Sequence, residues 1–121
     1  KLVEKLSICK RILLTEAMPY DKFVDVMEKC KLVITDSGGL QEEAPSLGKP
    51  VLILRNFTER TEAIEAGTAK LIGTNPSNIF KETKIILEND SIFREMSNAK
   101  NPFGDGLASL RIMKQCLKEI L

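Results

Sequence analysis

The feature that most constrains this chain is an alternation: short, almost wholly apolar runs take turns with segments whose apolar residues recur at helical spacing. The runs are "RILLTE" (Arg11 to Glu16), "KLVIT" (Lys31 to Thr35), "PVLIL" (Pro50 to Leu54) and "AKLIG" (Ala69 to Gly73). Between them, Phe23, Met27 and Cys30 recur at i, i+4, i+7, and Leu40, Ala44 and Leu47 carry a second helical stripe that Gly48 ends. Strands apolar on both sides need cover on both faces, and strand-helix alternation makes neighbouring strands parallel. The pattern predicts an α/β fold in three layers, with four short parallel strands.

The remaining helices follow from local signals. Leu2, Leu6 and Cys9 form a weak amphipathic entrance, and a short helix through Ile64 is closed by Gly67. Asn75-Pro76 suits the N-cap and first position of a helix through Ile79, Phe80, Thr83, Ile86 and Leu87. "SIFREMSNA" adds a further helical turn or two, "KNPFGDG" is a loop, and Leu110, Met113, Leu117 and Ile120 put one apolar face on a terminal helix. No repeat or linker divides the chain, so residues 1–121 are read as a single domain, large enough to bury about two-thirds of its unfolded surface.

Lys and Arg number 18 against 17 Asp and Glu, a net charge of +1 that offers no field for nucleic acid or an anionic membrane. Any anion must be held locally. With no histidine the commonest general base is absent, and without a thiolate cluster no metal site is expected. Cys9, Cys30 and Cys116 are widely spaced in apolar patterns and read as small buried hydrophobes of a reduced protein. No apolar run approaches the roughly 20 residues of a membrane span, and "KLVEKLSICK" lacks a signal peptide's apolar core. A cytoplasmic location is the expectation.

In a parallel sheet, ligands sit beyond the carboxyl ends of the strands. The loops there are those around Met18, at Ser37-Gly38-Gly39, and from Arg55 to Glu62. Ser37 to Gly39 joins a strand to a helix N-terminus, whose N–H groups and partial positive charge suit a phosphate. A capping box would want Glu or Gln where Leu40 stands, and two glycines cost roughly 1 kcal/mol each relative to alanine in a helix. Close approach of a ligand to the backbone explains them better than a cap.

Glu43, a turn further on, has a carboxylate able to accept two hydrogen bonds from the vicinal hydroxyls of a ribose. Glu42 has no evident role, and Pro45 kinks or shortens its helix. Arg55 and Arg60 both lie where a guanidinium could reach phosphate oxygens. Phe23 could stack on a base, although its spacing to Met27 is more often that of a core residue. Gly48-Lys49-Pro50 is not a P-loop, and Gly104-Asp105-Gly106 is a turn feeding the last helix.

The string "ITDSGGLQEEAPSLGKPVLILRNFTERTEAIEAGTAKLIGT" resembles the signature of the non-hydrolysing UDP-N-acetylglucosamine 2-epimerases, and "NPFGDGLAS" is similar to that family's loop before its last helix. The likeness runs from about Arg11 to the terminal helix. It implies a Rossmann-like domain, the C-terminal, nucleotide-binding half of a two-domain glycosyltransferase-B-like enzyme. By motif, Ser37, Gly38 and Gly39 would bind the diphosphate, Glu43 the ribose and Arg60 the phosphates, with Phe23 and the backbone near Met18 against uracil. Thr61 stands where the family usually has Pro, and Phe57 where a small polar residue is common.

The family interconverts UDP-GlcNAc and UDP-ManNAc by eliminating UDP and adding it back to a glycal, without a cofactor. Its acid, base and histidine come from the N-terminal half, so the resemblance implies a UDP or UDP-N-acetylhexosamine ligand, a missing N-terminal domain, a homodimer in the full-length enzyme and no turnover by this chain alone. A UDP-sugar glycosyltransferase or hydrolysing epimerase could use a similar half-domain, though the unbroken D-S-G-G-x-Q-E-E string argues against both. A non-catalytic nucleotide-sensing or docking domain is the alternative of a different class.

Overall fold

A computed structural model describes residues 1–120 of the chain. Three parallel strands, β1 (Val33–Thr35), β2 (Val51–Ile53) and β3 (Ala69–Leu71), form one sheet in the order β1-β2-β3. The register is regular, with Val33 opposite Val51 and Val51 opposite Ala69. Seven helices surround the sheet among the described residues: α1 (Leu2–Ser7), α2 (Tyr20–Lys29), α3 (Gly38–Ser46), α4 (Thr61–Glu65), α5 (Pro76–Glu88), α6 (Asp90–Asn98) and α7 (Ala108–Ile120).

The central strand shows why the runs had to be apolar throughout. Val51, Leu52 and Ile53 are all fully buried, and alternate side chains leave opposite faces of a strand. Val51 and Ile53 join Met27 of α2, Ala44 of α3 and Ala63 of α4 in one cluster. Leu52 points the other way, into a cluster with Ile72 and Ile86, against which Ile79, Ile92, Phe93 and Met96 pack. The three expected layers are therefore helices α2 to α4, the sheet, and helices α5 and α6.

Local signals set several helix ends, the one at Asn75 as read from the sequence. Asn75 Oδ1 accepts from Ser77 N at 3.0 Å and Asn78 N at 3.2 Å, with Pro76 at the first position. Asn89 caps α6 in the same way, and α6 runs nine residues, longer than the turn or two its sequence suggested. Pro45 shortens α3, which ends one residue later at Ser46; Gly48 then takes a left-handed φ of +65° to reverse the chain into β2.

Two expectations are corrected. "RILLTE" forms no strand: its residues are exposed, Leu13 at 87 %, and the sheet has three strands. An apolar run states a demand for burial, but a strand also needs a sheet edge to bond to, and residues 11–16 pair with none. The cysteines are not core residues either: Cys9 and Cys116 are exposed, and only Cys30 is partly buried against the core around Met27. Their apolar surroundings in sequence lie on α1's exit and on α7, whose side chains the described residues leave uncovered.

Candidate functional site

Between the end of β1 at Thr35 and the start of α3 at Gly38, Asp36 and Ser37 make the whole turn. Ser37 stands at the N-cap in extended conformation, yet its side chain makes no capping bond. Its N–H instead donates to Thr35 Oγ1 at 3.0 Å, which ties the turn to the strand. α3 carries no acidic residue in its first turn. The helix thus presents uncapped N–H groups and the positive end of its dipole at the carboxyl edge of the sheet.

Arg60 reaches this point from the loop after β2. Buried Thr58 anchors the loop: its hydroxyl donates to the fully buried Gln41 of α3 at 2.7 Å and accepts from Arg60 N at 3.2 Å. The Arg60 guanidinium then rests against Gly38, where a Cβ would stand 2.9 Å from both Cζ and Nη1. A Cβ there would require the guanidinium to shift. Gly39 is less constrained, since a Cβ there would meet Glu43 Oε1 at 3.5 Å, an ordinary contact.

Two carboxylates hold the guanidinium. Arg60 Nε donates to Glu42 Oε1 at 2.5 Å, and Nη1 pairs with Glu59. The hydrogen bond to Glu42 and the charges of Glu42 and Glu59 raise the Arg60 pKa above its ordinary value. Glu42, without a role in the sequence, is therefore the partner that orients Arg60. Arg55 is the outer member of the same chain of charges, with Nη1 3.5 Å from Glu59 Oε2. Residue chemistry alone left Arg55 and Arg60 equal, and the family likeness pointed to Arg60; the fold brings Arg60 to the α3 N-terminus and turns Arg55 toward Glu59.

Glu43, the residue after Glu42, turns one carboxylate oxygen toward α2. Its Oε2 accepts a hydrogen bond from the hydroxyl of Tyr20, the first residue of α2, at 2.8 Å. That bond, followed by the nearby charge of Glu43, raises the Tyr20 pKa above its ordinary value. Tyr20 was missed in the sequence, and no local signal could have found it, because its partner is 23 residues away. Phe23 is partly buried against the Met27 cluster and lines an apolar groove of about 280 Å³ together with Leu40 of α3. Met18 is half-buried in the segment leading into α2. The two family departures fall at the rim: Phe57 is exposed in the loop, and Thr61 is the exposed first residue of α4.

The model of the family described as UDP-N-acetylglucosamine 2-epimerase matches residues 1–117. The chain belongs to that family. It is 48 % identical over 109 residues to the UDP-N-acetylglucosamine 2-epimerase of Escherichia coli strain K12, a match covering 90 % of this chain and 29 % of the relative. Among solved structures, S. aureus MnaA in a UDP co-structure is 44 % identical with a TM-score of 0.90, covering 97 % of this chain and 32 % of that one. The Neisseria meningitidis UDP-GlcNAc 2-epimerase bound to UDP-GlcNAc is 45 % identical with a TM-score of 0.88, covering 95 % and 31 %. The α/β sheet in three layers is therefore the family's fold over this stretch. The chain spans about three-tenths of the length of the relatives it matches.

Proposed function

We propose that this chain is the nucleotide-binding domain of a non-hydrolysing UDP-N-acetylglucosamine 2-epimerase and that it holds the UDP end of the substrate. The observation that carries this reading is Arg60 against Gly38 at an uncapped helix N-terminus, with the Glu43 carboxylate one turn along the same helix. The N–H groups from Ser37 to Gly39 and the free side of the Arg60 fork take the diphosphate. Glu43 takes the vicinal hydroxyls of the ribose, and Phe23 with the backbone near Met18 lies against uracil.

This assignment gives the domain a chemical task. In the elimination, the C1–O bond to UDP breaks as C2 loses its proton, and negative charge grows on the departing β-phosphate. A helix dipole and a guanidinium already aimed at that oxygen stabilise the leaving group without reorganising. Re-addition is the reverse, after C2 has taken a proton on the opposite face. The acid, the base and further cations are supplied by an N-terminal domain, within a homodimeric enzyme, and the isolated chain does not turn over. A cytoplasmic location goes with a nucleotide-sugar substrate; no helix among the described residues is long and apolar enough to cross a membrane.

Titration of UDP and UMP into the chain and into its Glu43→Ala variant tests the site. The expected result is saturable binding of UDP, weaker binding of UMP, and a loss for both ligands in the variant. Equal affinity of both proteins for both ligands would overturn the site as drawn, and epimerisation by the isolated chain would overturn its dependence on a second domain.

A further inference from the structure

Among the described residues, Glu43 is held on one side only. Tyr20 takes Oε2 at 2.8 Å, while Oε1 turns back over the first turn of α3, 3.5 Å from the point a Cβ would occupy at Gly39. Ser37 Oγ lies 3.9 Å from the same point, so this oxygen faces the turn that carries the proposed phosphate contacts. A glutamate on a helix surface samples many rotamers, and a diol needs both of its acceptor directions fixed. A hydrogen bond from a rigid aromatic on a neighbouring helix supplies that restriction.

We propose that Tyr20 is a positioning residue for ribose recognition: it fixes the Glu43 carboxylate through Oε2 and leaves Oε1 turned toward the nucleotide. The inference rests on the reading of Glu43 as the ribose ligand. Its reach is wider than one bond, because Tyr20 and Phe23 stand at i and i+3 on α2 and so project from one side of that helix. Helix α2 thereby couples the residue that lies against the base to the residue that orders the sugar ligand, and base binding and ribose binding depend on one rigid element.

Tyr20 is 68 % exposed, so Tyr20→Phe removes the hydroxyl and leaves the core intact. The test measures UDP and 2′,3′-dideoxy-UDP binding to the wild-type chain, Tyr20→Phe and Glu43→Ala by calorimetry, with circular dichroism to compare folding. Wild type should prefer UDP, and Glu43→Ala should lose that preference. Tyr20→Phe should bind UDP about fivefold more weakly, the worth of one hydrogen bond, while holding the dideoxy analogue as wild type does. Unchanged discrimination in Tyr20→Phe, or an equal loss for both ligands, overturns the positioning role alone. A wild type that does not prefer UDP overturns the ribose assignment of Glu43 and this inference with it.

Discussion

Arg60 rests against the open side of Gly38, its guanidinium carbon 2.9 Å from where a Cβ would stand, although the two residues belong to different strand-to-helix connections. A methyl group at this position would therefore displace the guanidinium from its place at the helix N-terminus. Gly38→Ala should push the guanidinium away and weaken UDP binding about tenfold or more, the loss of a charge-assisted contact. Gly39→Ala, whose Cβ meets only ordinary contacts, should cost much less. Calorimetric titration of the two variants side by side checks this, and an equal loss in both would contradict the steric account.

Glu59 competes for the guanidinium that a phosphate would use, since it pairs with Arg60 Nη1 and lies 3.5 Å from Arg55. Glu59 is exposed, so its pairing with the half-buried Arg60 is partly screened. Glu59→Gln should therefore tighten UDP binding by only about twofold, with the gain shrinking as salt is raised. A variant that binds UDP more weakly would show that Glu59 orients Arg60 instead of occupying it.

Thr58 joins the arginine loop to α3 through two hydrogen bonds in a buried setting. Thr58→Val keeps the shape and removes both, leaving the Gln41 carbonyl unpaired in the core. Unfolding free energy should fall by about 2 kcal/mol and the midpoint temperature by about 8 °C. Thermal denaturation measures the first effect, and a parallel drop in UDP affinity would follow from the loosened Arg60.

The chain has one tyrosine and no tryptophan, so the tyrosinate absorption band reports Tyr20 alone. Its hydrogen bond to Glu43 and that residue's charge both favour the protonated hydroxyl. Spectrophotometric titration should place its midpoint above the ordinary value of about 10, and Glu43→Gln should bring it back down. A wild-type midpoint at the ordinary value would mean that the contact does not persist in solution.

Asp105 clasps the start of α7: Arg111 Nη2 lies 2.6 Å from its Oδ2, and Leu107 N donates to its Oδ1 at 3.0 Å. The Arg111 hydrogen bond, followed by that backbone N–H, holds its pKa down to about 2. A carboxyl depressed in the folded state stabilises fully above its unfolded value of about 3.9, and the contribution disappears as pH falls through the folded value. Carboxyl NMR titration should show the low midpoint in wild type and a return toward about 3.9 in Arg111→Gln.

The alternation of runs and stripes made the three strands after Cys30 readable because each had to be buried on both faces, and Asn75 and Gly48 made helix ends readable because capping and chain reversal are local. "RILLTE" misled for the same reason that the others succeeded. Its composition asks for burial, while pairing depends on an edge that the sequence does not describe.

Ser37, Gly38, Gly39 and Glu43 stood out because a strand, a turn and a helix start follow one another within ten residues, and the family likeness rests on that same stretch. What the sequence determined by itself was this local frame: glycines at a helix start, a carboxylate one turn on, and the layers on either side. Residue chemistry left Arg55 and Arg60 open and the family likeness pointed to Arg60, but only the tertiary structure set Arg60 against Gly38, gave Glu42 a partner and brought Tyr20 to Glu43. Those contacts join residues 17 or more positions apart, and their geometry is set by how α2, α3 and the loop after β2 pack on a shared sheet, which no local pattern of residues records.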